Sequence, residues 1–234
     1  MKQSKKRLTK SRFQSGRQCH KRLWLEVHRP DLAKQAEGVQ SRLTAGTRFG
    51  EFVRQYFGGV LVDAEPYKAE KALAQTKIFL DLPPTRVPMV FEATFEYEGV
   101  LVRVDALQRF PAADRLIEVK SSTKPKDEYF WDCAIQTWVV RNAGRPVEHI
   151  GLCLVDSSFV YTREGDYKGL LNIDNYNEQV ELLLPQVPAI VSELKSVMVG
   201  EQPRIGTGSH CMDPYPCPFF EYCRSAEPAA PKYP

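Results

Sequence analysis

The chain alternates between two periodicities, and the switch points divide it. Phe49, Phe52, Val53 and Tyr56 fall at helical spacing, and Gly58-Gly59 stops the run, so a helix is predicted over about 41–57. A short strand follows at Val60 to Val62, then a second helix from Tyr67 to Leu80, which Pro83-Pro84 closes off. From Met89 the period falls to two. Runs at 89–96, 100–109 and 116–120, separated by a Tyr-Glu-Gly turn and a Pro-Ala-Ala-Asp turn, read as an antiparallel meander. Asp127 opens another helix that runs to about Ala143, with Phe130, Ala134, Ile135, Trp138 and Val139 facing inward. His149 to Val155 reads as a buried strand, and Asp174 to Val199 as a long closing helix kinked at Pro185 and Pro188. Strands and helices mixed in this way predict a single α/β domain with a mixed sheet flanked by helices.

At 234 residues and 43% hydrophobic content, the chain is long enough for one substantial core. No uninterrupted apolar run reaches the roughly 18 residues of a membrane span, and the start lacks the apolar region of a signal peptide. The expectation is a soluble, cytoplasmic protein with no membrane partner. The net charge of +3 conceals an asymmetry, because residues 1–29 hold ten Lys or Arg against Glu26 alone. A basic segment on a mildly acidic body predicts a polyanionic partner. Residues 1–12 read as a flexible basic arm ending at Thr9 or Ser11, either of which can cap a helix, and 225–234 as a disordered tail. Between them, 13–224 form the domain.

The meander carries the chemistry. Asp105 ends an alternating strand, and Glu118 and Lys120 stand two apart on the next, hence on one sheet face, with Val119 turned to the core. Two carboxylates and an ammonium on one face suit a divalent cation and a polyanion; a solvated face with an ordinary ion pair is the alternative. Glu92, on the first strand of the meander, and Glu51, within the early helix, are further acidic neighbours. The loop Ser121 to Lys126 brings Lys124 and Lys126 to the same edge, and Arg17, Lys21 and Arg22 give the N-terminal segment a cationic side. Gln136 is the polar residue of its helix able to reach this edge. No phosphate-binding Gly-rich loop with Lys-Ser/Thr, zinc-protease motif or serine-nucleophile motif occurs.

Six cysteines in a chain of this kind point to a metal or cluster rather than a disulfide scaffold. Cys133 and Cys153 fit as small core residues. Cys211, Cys217 and Cys223 are separated by two gaps of five residues, longer than the knuckles of structural zinc, in a Pro-rich and aromatic setting. With Cys19 as the fourth thiolate they would complete the ligand set of a 4Fe-4S cluster and staple the two ends of the chain together. Zinc, or unliganded thiols, are the alternatives.

The combination of Asp105, Glu118-Val119-Lys120, the one-plus-three cysteines and the lead-in Ser-Arg-Phe-Gln-Ser-Gly-Arg-Gln-Cys-His-Lys-Arg-Leu-Trp-Leu-Glu resembles the RecB-like PD-(D/E)XK nucleases with an iron-sulfur cluster, as in the CRISPR-adaptation exonucleases and AddB. The likeness spans about residues 9 to 224. It implies a PD-(D/E)XK restriction-endonuclease-like core with a terminal cluster region, and a Mg²⁺- or Mn²⁺-dependent DNA exonuclease, chiefly on single strands. Asp105, Glu118 and the carbonyl of Val119 would hold the metal, Lys120 would orient water or stabilise charge, and Gln136 would match the Gln of a Gln-x-x-x-Tyr helix motif. Two positions depart from the pattern. A metal-binding His expected on the early helix is replaced by Gly50 and Glu51, leaving Glu51 as the substitute, and Val140 stands where the motif has Tyr. A single-stranded-DNA-binding module without turnover, a partner subunit in a nucleic-acid-processing complex, a redox-sensing cluster and a homo-oligomer all stay open.

Overall fold

The computed structural model describes residues 7–34, 39–65 and 67–227. Residues 1–6 of the expected arm and 228–234 of the expected tail lie outside them. The arm is not a free lead-in from residue 7 onward. Leu8–Thr9 form a short strand, β1, that pairs in parallel with the fourth strand (Leu8 with Val100, Thr9 with Leu101), and Leu8 is fully buried. Thr9 then caps helix α1 (Lys10–Gln18), its hydroxyl accepting from the Arg12 N–H at 3.3 Å. Cys19, in extended conformation, turns the chain into α2 (His20–His28).

Helix α3 (Val39–Phe57), strand β2 (Val60–Leu61) and helix α4 (Ala69–Asp81) precede the meander β3 (Met89–Tyr97), β4 (Val100–Gln108) and β5 (Asp114–Val119). Helix α5 (Asp127–Asn142) crosses over to β6 (Val147–Val155), parallel to β5. The predicted long closing helix begins too early. Its first two residues, Asp174 and Asn175, end a strand, β7 (Leu171–Asn175), antiparallel to β6, and helices α6 (Asn177–Leu183) and α7 (Val187–Val199) follow, joined by a 3-10 turn containing Pro185. A last short helix, α8, covers Phe220–Ser225, so the chain is ordered past the expected start of the tail, and the Glu227 carboxylate still bonds Thr207.

The sheet order is β2-β3-β4-β5-β6-β7, with β1 added beside β4, and it mixes parallel and antiparallel pairs. Helices α1, α5 and α7 cover one face over the larger core, built on residues such as Phe13, Leu23, Val104, Leu116, Ile135, Leu152 and Leu194. On the other face Val53, Phe49 and Phe52 of α3 pack on Phe91, Ala106, Ile117 and Cys153. Helix α5 is buried on most of its circumference, and Cys133 is wholly enclosed within it.

Asn177–Val199 spans 23 residues and, although no uninterrupted apolar run in it is that long, its average hydropathy would suffice to cross a membrane. Here the stretch is broken at its 3-10 turn, and Val180, Val187, Val191, Leu194 and Met198 are buried in the larger core.

Gly16 lets α1 approach α7. A Cβ at that position would lie 2.5 Å from Leu194 Cδ2 and 2.9 Å from Leu23 Cδ2, both fully buried side chains. Gly16→Val is therefore expected to cost about 2–3 kcal/mol despite the gain in helix propensity, read as a lower urea midpoint with an unchanged slope.

Candidate active site

The sheet forks at the candidate site. Strand β4 pairs with β5 only at Ala106–Gln108, against Ile117, Leu116 and Arg115, and with β1 only at Val100 and Leu101. Between these two ladders β4 has no strand on that edge among the described residues. Asp105 lies in this gap, and Glu118 lies one residue beyond the last β4–β5 pair. The pleat is also interrupted. Phe91 and Ala106 pack in the smaller core, whereas Ala93 and Val104, two residues away on each strand, pack in the larger one. Two residues along a regular strand share a face, so the alternation breaks at Glu92 and Asp105. Glu92 has a φ of 57°, a left-handed conformation that a glutamate adopts only when its surroundings impose it.

Glu118 is the centre of the polar cluster. Its side chain is 1% exposed and accepts from Lys10 Nζ at 3.0 and 3.2 Å, from Gln136 Nε2 at 2.6 Å and from Lys120 Nζ at 2.7 Å. Asp105 receives Lys10 Nζ at 3.4 Å on one oxygen and the Val119 N–H at 2.9 Å on the other. Lys120 extends to Asp132 at 2.8 Å, and Gln136 donates again to the Asp132 carbonyl at 2.8 Å. Sequence reasoning placed Asp105, Glu118, Lys120 and Gln136 here, and the fold brings all four together.

Two members were not foreseen. Asp132 stands four residues before Gln136 on α5 and thus on the same helix face, a spacing that would have singled it out. Lys10 was counted in the basic arm. A lysine at the first position of a helix whose first turn holds no acid sits at the unfavourable, positive end of the dipole, which the Asp105 and Glu118 carboxylates offset.

A cavity of about 410 Å³ opens beside the cluster, lined by Asp105, Val119, Lys120, Ser121, Glu92 and, from α3, Gly46, Thr47, Gly50 and Arg54. Glu51 is not among its lining residues. It is exposed and faces a neighbouring cavity with Gln55 and Leu61, so the substitution expected of it is not realised. One residue along a helix turns the side chain by about 100°, and Gly50 holds the position facing the site. Lys120 also lines a second cavity of about 280 Å³ on the side of α1, with Gln14, Gln18, Arg22 and Tyr215.

The expected DNA-binding cations divide into two groups. Lys124 and Lys126 are exposed on the loop after β5. Those of the N-terminal segment are engaged within the chain: Arg17 stacks on Trp131 at 3.9 Å, Lys21 donates to the Ile205 carbonyl, and Arg22 pairs with Glu26.

The four cysteines share one region. Gln18, next to Cys19, donates to the carbonyls of His210 and Tyr215, and the Cys217 N–H donates to the Cys211 carbonyl at 2.8 Å. Burial pushes the Cys217 and Cys223 thiols up, and the charges of Cys19 and Cys211 act on both in the same direction. Among the described residues no group of three or more His, Cys, Asp or Glu is arranged as a finished metal shell, at either the thiols or the carboxylates. The donor chemistry fits nonetheless: four sulfurs for a soft iron cluster, and buried carboxylate oxygens for a hard divalent ion.

Asp105, Glu118 and Asp132 set three carboxyls against the two ammoniums of Lys10 and Lys120. Burial, reinforced by the charge of Glu118, pushes Asp105 up to about 7. Glu118 is held low, because Lys10 and Lys120 outweigh its burial. A carboxyl whose folded pKa exceeds its unfolded value of 3.8 stabilises the fold below that value, and the contribution is lost as pH rises through about 7. Asp105→Asn is therefore expected to raise the melting temperature in a chelator at about pH 8, by the equivalent of about 1–3 kcal/mol. The gain should fade as the pH is lowered toward 4; an equal gain at every pH would contradict this charge balance.

No protein-family model matches the chain, and no curated protein sequence matches it. Among solved structures it is similar to the crystal structure of SSO0001, at 12% identity and a TM-score of 0.40, over 86% of this chain and 79% of that one.

Proposed function

We propose that the protein is a divalent-metal-dependent deoxyribonuclease of the PD-(D/E)XK kind, degrading DNA from an end and chiefly single strands. The observation that carries the reading is the convergence of Asp105, the wholly buried Glu118 and Lys120 at a fork in the sheet beside an open cavity. A buried carboxylate contributes less to stability than an apolar side chain of the same volume, so a buried and multiply bonded one beside an open cavity supports a chemical role.

Asp105 and Glu118, with the Val119 carbonyl, would hold Mg²⁺ or Mn²⁺. Such an ion supplies Lewis-acid polarisation of a phosphate and a water of lowered pKa. Gln136 and Lys120 fix the Glu118 carboxylate from two sides, at 2.6 and 2.7 Å, so its orientation is set before substrate arrives. The Lys120 ammonium, anchored on Asp132, stands at the border of both cavities, where it can orient water or offset the charge that develops on a phosphate. Lys124 and Lys126, exposed on the adjoining loop, offer the backbone contacts that retain a polyanion.

The fold's finer class, a PD-(D/E)XK core sealed by a 4Fe-4S cluster on Cys19, Cys211, Cys217 and Cys223, belongs to the same proposal. A second reading, a single-stranded-DNA-binding module without turnover, is favoured by one feature: α3 presents Gly46, Thr47 and Gly50 to the cavity and no His or acid.

Lys120→Ala or Asp105→Ala is expected to reduce Mn²⁺-dependent degradation of an end-labelled oligonucleotide by at least about a thousandfold, with the circular dichroism spectrum retained. Wild-type binding without cleavage in either metal would favour the second reading, and cleavage retained by both variants would refute the site. For the cluster, anaerobically purified protein should be brown and hold about four irons per chain, and Cys19→Ser should lower that content. A colourless protein with stoichiometric zinc would exclude it.

A further inference from the structure

Lys10 occupies the place that a cation shared by the two carboxylates would take. Its ammonium lies 3.4 Å from Asp105 and 3.0 Å from Glu118, and the Lys10 side chain retains 23% exposure. The other lysine of the cluster is held differently. Lys120 keeps Asp132 at 2.8 Å as a partner outside the pair, whereas among the described residues Lys10 pairs only with Asp105 and Glu118. Lys10 is also the first residue of α1, where the positive helix end repels it. Its direct ion pairs are thus with the two carboxylates, Asp132 adding only its more distant charge, and a stronger cation between the pair removes the attraction and adds repulsion.

We propose that Lys10 is the resident cation of the Asp105–Glu118 pair, and that a divalent ion binds by displacing its ammonium. Metal uptake is then an exchange of ions, and Lys10 sets the apparent metal affinity. This rests on the metal-site reading of Asp105 and Glu118. It also gives β1 a role: its pairing with Val100 and Leu101 delivers Lys10 to the open edge of β4 beside Asp105. The exchange involves no bond to carbon or hydrogen. One ammonium leaves the carboxylate oxygens as one ion arrives.

The test measures Mn²⁺ binding to the full chain without nucleic acid, from the loss of the free-ion electron paramagnetic resonance signal at room temperature. Lys10→Met is expected to bind Mn²⁺ at least about tenfold more tightly than wild type, and Mn²⁺ should raise its melting temperature by more. Lys10→Arg, which keeps the charge, should bind no more tightly than wild type. Asp105→Asn should lose the site in either background. If Lys10→Met does not fold, Lys10→Gln, equally neutral but with a polar end, makes the same comparison. Unchanged or weaker binding in the neutral variant, with Asp105→Asn still abolishing it, would overturn the exchange and leave the metal site standing. No saturable Mn²⁺ binding in wild type or the neutral variant would overturn both.

Discussion

An ionised carboxylate withdrawn from water imposes the strictest demand in this molecule. Glu118 keeps 1% of its side chain exposed, and such a group persists only when donors close around it on every side. Those donors come from three separate parts of the chain: Lys10 at the start of α1, Lys120 after β5, and Gln136 in the middle of α5. Satisfying one carboxylate therefore fixes the N-terminal segment, the meander and the crossover helix against one another. Removing any one donor would leave the buried carboxylate less well satisfied, at a cost in stability.

The fork in the sheet makes room for this polar cluster inside an apolar core. If β4 and β5 stayed paired beyond Ala106 and Ile117, backbone hydrogen bonds would fill the space between Asp105 and Glu118. Ending the ladder there frees the Val119 N–H, which Asp105 accepts, and opens an edge that β1 occupies further along. The left-handed backbone at Glu92 belongs to the same distortion. It reverses which face the strand presents, so Phe91 reaches α3 while Ala93 reaches the helices on the other side. The strain is local, and the site is the part of the sheet that gains from it.

Most of the elements were legible because their periodicities were strong and their punctuation clear: Gly58-Gly59 after α3, Pro83-Pro84 after α4, and the two turns of the meander. Strand β7 was not, since Leu171–Asn175 is short, polar at alternate positions and runs straight into a helix. Asp105, Glu118 and Lys120 were legible because Glu118 and Lys120 stand two apart at the end of β5 and Asp105 lies on the adjoining β4, within that strand and not at its end. Lys10 was hidden among nine other cations of residues 1–29, where composition gives no reason to prefer one lysine. Glu51 and Gly50 differ by one step of a helix, and periodicity read from apolar residues does not fix rotation finely enough to choose between them. The thiols illustrate the opposite case. Cys19 and Cys211 are far apart in sequence, yet their shared chemistry suggested proximity, and Gln18 reaching His210 and Tyr215 ties those two segments together.

The charge balance of the cluster shows how its side chains satisfy one another. Two ammoniums against three carboxyls leave one surplus negative charge, and the raised Asp105 is where a proton is most readily taken up to remove it. Glu118 meanwhile stays ionised because its three donors remain in place. The cluster is thus close to neutral with side chains and one proton alone, and the sheet, α1 and α5 keep their positions. Lys10, Asp105 and Lys120 all keep partial exposure, and of the three only Lys120 has a carboxylate partner, Asp132, outside the Asp105–Glu118 pair, while the fully buried Glu118 is held by Lys120 and Gln136. On the proposed exchange, Lys10 would move while Glu118 stays fixed by Lys120 and Gln136, so the charge of the site would change without repacking the core.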